Sequence, residues 1–213
     1  MLITFSGIVG SGKSTNAKYA RDMVEELAQR PVYLRFRFLS WKKMLAGGSK
    51  RNLSNPQQKQ QGLRTSKIAP LTFVRFVGYL GRMLNFRLFR LIKLRQCVAI
   101  CDRYFYDNLV HYRLESLCER IYLQILKKAM PAPDISFMLT ADPETIIQRR
   151  RHYEPNYIYK LSENYKKVAG AFENLTIVKT DGTKEVAAII ARHIREKMNG
   201  TDAEILGTKF FTN

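Results

Sequence analysis

Residues 2–15 read LITFSGIVGSGKST, an apolar run of strand length passing directly into a turn that holds Gly7, Gly10 and Gly12. The following "STNAKYARDMVEELAQR" has helical apolar spacing. Strand, glycine turn and helix follow one another without a linker. Gly7, Gly12, Lys13 and Ser14 fit the spacing G-x-x-x-x-G-K-[S/T]. Backbone N–H groups in such a turn converge on an anion, and a Cβ at Gly7, Gly10 or Gly12 would obstruct it. Gly7, Gly10, Ser11, Gly12, Lys13, Ser14 and Thr15 are therefore candidate phosphate contacts. Lys13 can bring an ammonium to the phosphates, and the Ser14 hydroxyl can ligate Mg²⁺. The helix that starts there aims its own N–H groups at the same place.

The rest of the chain repeats the alternation. The spacing predicts helix 13–29, strand 32–38, strand 97–101, helix 107–129, strand 134–140 and helix 142–151, then helix 157–171, strand 175–180 and helix 183–198. Strands alternating with helices imply an α/β fold, a parallel sheet covered on both faces. "VAIC" and "ISFMLT" are apolar at consecutive positions, as doubly covered strands are. One domain over 1–198 is expected, with a basic helical insert at about 40–95 and a tail at 199–213. Within the insert, residues 46–67 are polar and rich in Gly, Asn and Gln, and read as a loop.

The net charge of +18 is unevenly placed. No Asp or Glu occurs between Glu26 and Asp102, whereas Arg35–Arg95 contains fifteen Lys or Arg. The excess points to an anionic partner: a phosphorylated small molecule, nucleic acid or an anionic membrane bound through the 35–95 region. No window has the ~18 uninterrupted apolar residues of a membrane span. The first strand begins at residue 2, so no leader is expected, and Cys97, Cys101 and Cys118 lack metal-ligand spacing. A cytoplasmic protein with reduced thiols is expected.

On a helix over 71–95, Arg75, Tyr79, Arg82, Phe86, Arg90 and Lys93 share one side. Guanidinium beside aromatic ring suits an anionic, ring-bearing ligand, which makes Arg75, Tyr79 and Arg82 candidate acceptor contacts. Phe73, Val77, Leu80, Leu84 and Leu88 read as its core side. A second constellation, Asp102-Arg103-Tyr104, ends a strand, where ligands bind in open parallel sheets. Asp102 there can hold a Mg²⁺-bound water or act as a base towards a hydroxyl, and Arg103 can clamp a phosphate. A third, "ADPETIIQRRRHYEPNY", runs a helix into Arg149, Arg150 and Arg151 before Pro155. Arginines at such a helix end can neutralise charge developing on a transferring phosphoryl. Helical spacing sets Arg150 on a different face from Arg149, so Arg149 and Arg151 are the catalytic candidates. Pro155 and the arginines are expected to keep residues 149–157 open without ligand.

Together these segments resemble the thymidylate kinase family of P-loop nucleoside monophosphate kinases. "SGIVGSGKST" is similar to its phosphate loop, "CDRYFYD" to its Asp-Arg-Tyr segment, "LTADPETIIQRR" to its strand, helix and arginine-bearing lid, and "IVKTDGTKEVAAII" to its last strand and base-side turn. The resemblance implies a P-loop kinase fold with strand order 2-3-1-4-5, ATP and Mg²⁺ as cofactors, and transfer to a nucleoside monophosphate. It implies Lys13 and Ser14 on ATP and Mg²⁺, Arg103 and Tyr104 on the acceptor, and Asp181-Gly182 near the ATP base. The family's acidic loop residue is here Val9, and "RFRFLSWKK" stands where it has Thr-Arg-Glu-Pro-Gly-Gly. Arg35 or Arg37 would then take over the acceptor-phosphate grip. A hydroxyl acceptor with Asp102 as base, a nucleotide-binding protein docked on nucleic acid or membrane, and a homodimer all stay open.

Overall fold

A computed structural model describes residues 1–27, 29–35, 69–94, 96–110, 117–180 and 183–209. Its core is a five-stranded parallel sheet: β1 Leu2–Gly7, β2 Pro31–Arg35, β3 Val98–Asp102, β4 Ile135–Thr140 and β5 Thr176–Lys179. The spatial order is β2-β3-β1-β4-β5, the order implied by the resemblance. β1, the central strand, is buried along its whole length, as is β3 beside it. Apolar side chains on both faces of these strands need a helical layer on each side. The paired register sets Phe5 against Asp102, and Asp102 against Arg35. The carboxyl ends of three strands thus finish level with one another, beside the loop that follows β1.

The helices are α1 Lys13–Glu26, α2 Ala69–Lys93, α3 Tyr106–Leu109, α4 Leu117–Ala129, α5 Pro143–Arg149, α6 Pro155–Gly170 and α7 Thr183–Lys209. α1 and α7 cover one sheet face, where Phe5 stacks on Phe137 at 5.2 Å over Ala17, Val24, Ile190 and Ile194. α2, α3, α4 and α6 cover the other around Tyr104, Phe105, Phe86 and Met83. Two elements differ most from the sequence reading. The helix read over 107–129 is two pieces, α3 and α4, with 111–116 outside the described residues. α7 runs past Asn199 to Lys209, through the start of the expected tail. The 46–67 loop lies outside the described residues.

α2 packs on a different face from the one its pattern suggested. Phe76, Met83 and Phe86 are buried, whereas Phe73, Val77, Leu84 and Leu88 are about half exposed. The helix carries apolar residues on nearly every side, so periodicity alone could not say which side meets the sheet. Aromatic geometry decides it. Phe86 packs edge-on against Tyr104 and Phe105, and Phe76 stacks on Tyr122 of α4 at 4.5 Å. No helix among the described residues is long and apolar enough to cross a membrane. Cys101 is buried, its thiol pushed up to about 12 by that burial, while Cys97 is part-buried and Cys118 exposed.

Candidate active site

The loop after β1 turns on three glycines in left-handed or related backbone: Gly7 at φ 141°, Gly10 at 84° and Gly12 at 79°. Gly7 is the most constrained. A Cβ there would lie 2.0 Å from the carbonyl oxygen of Leu139 on β4. The loop can sit this close to the sheet only because residue 7 has no side chain. Gly12 hands the chain to α1, which begins at Lys13.

Lys13 is buried and folds back over its own loop, donating to the carbonyls of Gly7 and Ile8, each at 2.7 Å. Burial pulls its pKa from 10.5 down to about 8, with the carboxylate of Asp107 pulling the other way. Ser14 donates from Oγ to Asp102 Oδ2 at 2.7 Å, joining the first turn of α1 to the end of β3. The same oxygen accepts from the Tyr33 hydroxyl at 3.0 Å, and Arg35 Nε lies 3.5 Å away. Asp102 is fully buried, yet its Oδ1 has no hydrogen-bond partner among the described residues. An unsatisfied buried carboxylate oxygen is rare and costs about 1–3 kcal/mol. Ser11 Oγ is likewise buried without a partner.

These orphaned acceptors beside a serine hydroxyl fit Mg²⁺. That ion keeps several waters and takes one or two carboxylates plus substrate phosphates, rather than an all-protein cage. Among the described residues no cluster of three His, Cys, Asp or Glu could make such a cage. Ser14 would ligate the ion and Asp102 would hold its water.

Arg103 has φ 80°, a left-handed conformation unusual for a residue with a side chain. Its amide donates to the Phe5 carbonyl at 2.9 Å, which pins this turn to β1, and its charge is felt at Lys13. Backbone strain of this kind collects at functional sites. Asp107 lies beneath. Its Oδ1 accepts from the Gly7 amide at 3.2 Å and the Tyr165 hydroxyl at 2.6 Å, and its Oδ2 from the Tyr104 amide at 3.1 Å. One buried carboxylate thus ties the loop, the β3 turn and α6 together.

Arg149 ends α5, and its Nη1 reaches the Gly10 carbonyl at 3.5 Å. Arg150 does not continue the helix; it turns at φ −137°, ψ 56°. Its side chain comes back over Gly10, close enough for its charge to lower the Lys13 pKa. The helical spacing that set Arg150 apart from Arg149 fails because the helix stops one residue earlier. Arg151 is exposed. Of the segment expected to stand open, Arg149 and Arg150 reach the loop at Gly10, while His152, Glu154, Pro155 and Asn156 are exposed like Arg151. Pro155 starts α6, and Ile158 is already in the core.

Other sequence candidates land elsewhere. Tyr104 is fully buried, wedged between Phe86, Phe105 and Tyr106, and its hydroxyl donates to the Pro131 carbonyl. Burial raises its pKa, and it is a core residue rather than an acceptor contact. The left-handed turn at Arg103 sends the next side chain inward. Arg82, expected to contact an acceptor, lies over the Tyr79 ring at 5.9 Å. Arg75 is placed on α2 by its backbone, and Thr15 is exposed on α1. Arg37, Asp181 and Gly182 lie outside the described residues. Tyr33 and Asp107 escaped the sequence reading. Tyr33 stands two residues before Arg35 on the same face of β2, a period-two signal that could have found it. Nothing local marks Asp107, which sits in a single helical turn placed by packing.

No protein-family model matches the chain. It is 24% identical over 209 residues to a probable thymidylate kinase of Archaeoglobus fulgidus, covering 93% of this chain and 99% of that protein. The crystal structure of thymidylate kinase from Ehrlichia chaffeensis superimposes with a TM-score of 0.54 at 15% identity, over 93% of this chain and 98% of the other. The chain thus shares the fold of that solved thymidylate kinase and is similar in sequence to a probable one over nearly its whole length.

Proposed function

We propose that this chain is an ATP-dependent phosphotransferase of the nucleoside monophosphate kinase type, moving the γ-phosphoryl of ATP onto a small phosphorylated acceptor. The observation that carries the reading is the Ser14–Asp102 contact beside a buried Lys13 in a glycine loop. Similarity to a probable thymidylate kinase supports it.

Each residue has a physical task. The loop amides and the α1 N-terminus receive the phosphates. Lys13 leaves the Gly7 and Ile8 carbonyls for the β- and γ-phosphates. Ser14 and Asp102 would hold Mg²⁺ and its water, and the ion would supply charge neutralisation to the phosphates. Arg103 faces the acceptor phosphate. Arg149 and Arg150, already at Gly10, stabilise charge on the transferring group and exclude water. Arg35, at the rim of Asp102, contributes to the acceptor grip. An acceptor phosphate is already an anion and needs no general base, so Asp102 is free to serve the metal.

The test is an acceptor panel with ATP and Mg²⁺: nucleoside monophosphates, nucleosides and sugars, read by coupled ADP release and product chromatography. Transfer to one or more monophosphates is expected. Transfer only to hydroxyl acceptors would move Asp102 to the role of base. No transfer above background hydrolysis would end the kinase reading.

A further inference from the structure

At the opposite end of the sheet, away from the phosphate loop, α2 and α4 converge on the turn that enters β4. Between them lies a cleft of about 540 Å³ whose lining includes Arg87, Arg90, Lys127 and Lys128. We propose that this cleft binds an organic phosphate, as a second anion site separate from the catalytic one.

The four cations fall into two kinds. Arg90 is fixed: it donates to the Ala132 carbonyl at 2.8 Å and pairs with Asp134 at 3.0 Å. Lys127 is fixed too, donating to the Ala171 carbonyl and lying 5.1 Å over the Phe172 ring. These two complement helix C-termini and nearby carbonyls, which is what cations near helix ends ordinarily do. Arg87 and Lys128 donate to no carbonyl among the described residues, although Lys128, like Lys127, lies in the last turn of α4. Both are exposed, and among the described residues neither has a carboxylate within ion-pair distance. Arg87 is also too far back from the end of α2 to serve its last carbonyls.

Four like charges around one concavity repel one another, and Asp134 is the carboxylate that answers one of them. A phosphate would balance the rest. Arginine offers a planar fork of donors and lysine a compact ammonium, the two usual partners of phosphate oxygens. The cleft also has an apolar wall, Leu91, Met130 and Pro131, and its volume falls in the range of small-molecule sites. An inorganic anion would leave that wall wet. A phosphate attached to an apolar or ring-bearing group would cover it. Two sources share this chemistry: a free phosphorylated metabolite, and an anionic lipid headgroup reached from the apolar outer face of α2, where Leu84, Leu88 and Leu91 are exposed.

The test compares the full chain with the double variant Arg87→Glu/Lys128→Glu. Both positions are exposed and outside the catalytic machinery, so steady-state phosphotransfer should be unchanged, and the thermal midpoint should hold or rise as the like-charge repulsion is relieved. In one arm, inorganic tripolyphosphate is titrated calorimetrically into protein already saturated with a non-hydrolysable ATP analogue and Mg²⁺. In the other, the protein is sedimented with phosphatidylcholine vesicles with and without phosphatidylglycerol. The proposal expects binding by the wild type in at least one arm, weakened about tenfold or more in the double variant. Tripolyphosphate binding would identify a free phosphate, and vesicle binding a headgroup. Equal binding by wild type and variant in both arms, or none by the wild type in either, would overturn it.

Discussion

Lys13→Met should make the ligand-free protein more stable while abolishing nucleotide binding. Burial lowers the Lys13 pKa from 10.5 to about 8. That gap corresponds to about 3 kcal/mol. The folded pKa lies below the unfolded one, so the unfolded chain binds more protons between pH 8 and 10.5. Wild-type stability therefore rises through that window, and below pH 8 the full penalty of the buried ammonium is present. Methionine removes the charge and keeps the apolar stem, but it leaves the Gly7 and Ile8 carbonyls without the donor that Lys13 supplies. Each lost bond offsets about 1 kcal/mol. The net gain at pH 7 should be about 1–2 kcal/mol, shrinking to nothing or reversing by pH 10. Urea unfolding of both proteins at pH 7 and pH 9.5, compared as a difference, cancels the tyrosines and cysteines common to both. Calorimetry with ATP at pH 7 checks the binding loss. A variant less stable than wild type at pH 7, with a difference that does not change by pH 9.5, would refute the reasoning.

Gly7→Ala sets a Cβ 2.0 Å from a β4 carbonyl in positive-φ backbone, so it should cost at least about 3 kcal/mol and lower the denaturation midpoint sharply. Asp102→Asn should raise the Mg²⁺ concentration needed for half-maximal turnover and reduce turnover about 10²-fold, while a Mg²⁺ titration with no shift would remove the metal-water role. Arg149→Ala and Arg150→Ala should each leave ATP affinity within several-fold, because Lys13 and the loop amides carry it. One of them should lower turnover about 10³-fold and Arg151→Ala should be milder; near-normal turnover in all three would remove the arginine assignment.

What the sequence disclosed, and what it hid, follows from where each interaction is local. The loop, its flanking strand and α1 were legible because Gly7, Gly12, Lys13 and Ser14 act within one turn of chain. The parallel sheet was legible from the unbroken apolar runs of β3 and β4. Asp102 was found because a strand end is a positional signal. Tyr104 was misplaced because the left-handed backbone at Arg103 reverses which side the next residue faces, and no residue type announces that turn. Arg150 was set aside on a helical count that the chain breaks at Arg149. The packing side of α2 was unreadable because Phe73 and Phe76 are alike to periodicity, and it is set by distant partners: Tyr122, 46 positions after Phe76, and Tyr104 and Phe105 against Phe86. Asp107 depends on Gly7 and Tyr165, each far away in sequence.

The charge around the loop carries the functional argument one step further. Lys13, Arg103, Arg149 and Arg150 gather about a turn whose neighbouring carboxylates are Asp102 and Asp107. Asp107 is consumed by structural bonds, and one oxygen of Asp102 already serves Ser14, Tyr33 and Arg35. Arg149 and Arg150 are exposed at the rim, but Lys13 is buried with its ammonium on two carbonyls, a placement that stability alone would not select. Lys13 holds its proton less tightly here than in free solution because burial strips water from its ammonium, and the carboxylates of Asp107 and Asp102 only partly offset that loss. A triphosphate supplies the missing negative charge where the loop amides and the α1 terminus already point. The depressed Lys13 pKa should then rise as phosphate arrives, so binding above pH 8 should take up a proton. The observed binding enthalpy should vary with the ionisation enthalpy of the buffer at pH 8.5 and lose that dependence at pH 6.5. Binding without proton uptake at the higher pH would mean that Lys13 does not reach the phosphates, and the catalytic reading of the loop would lose its central residue.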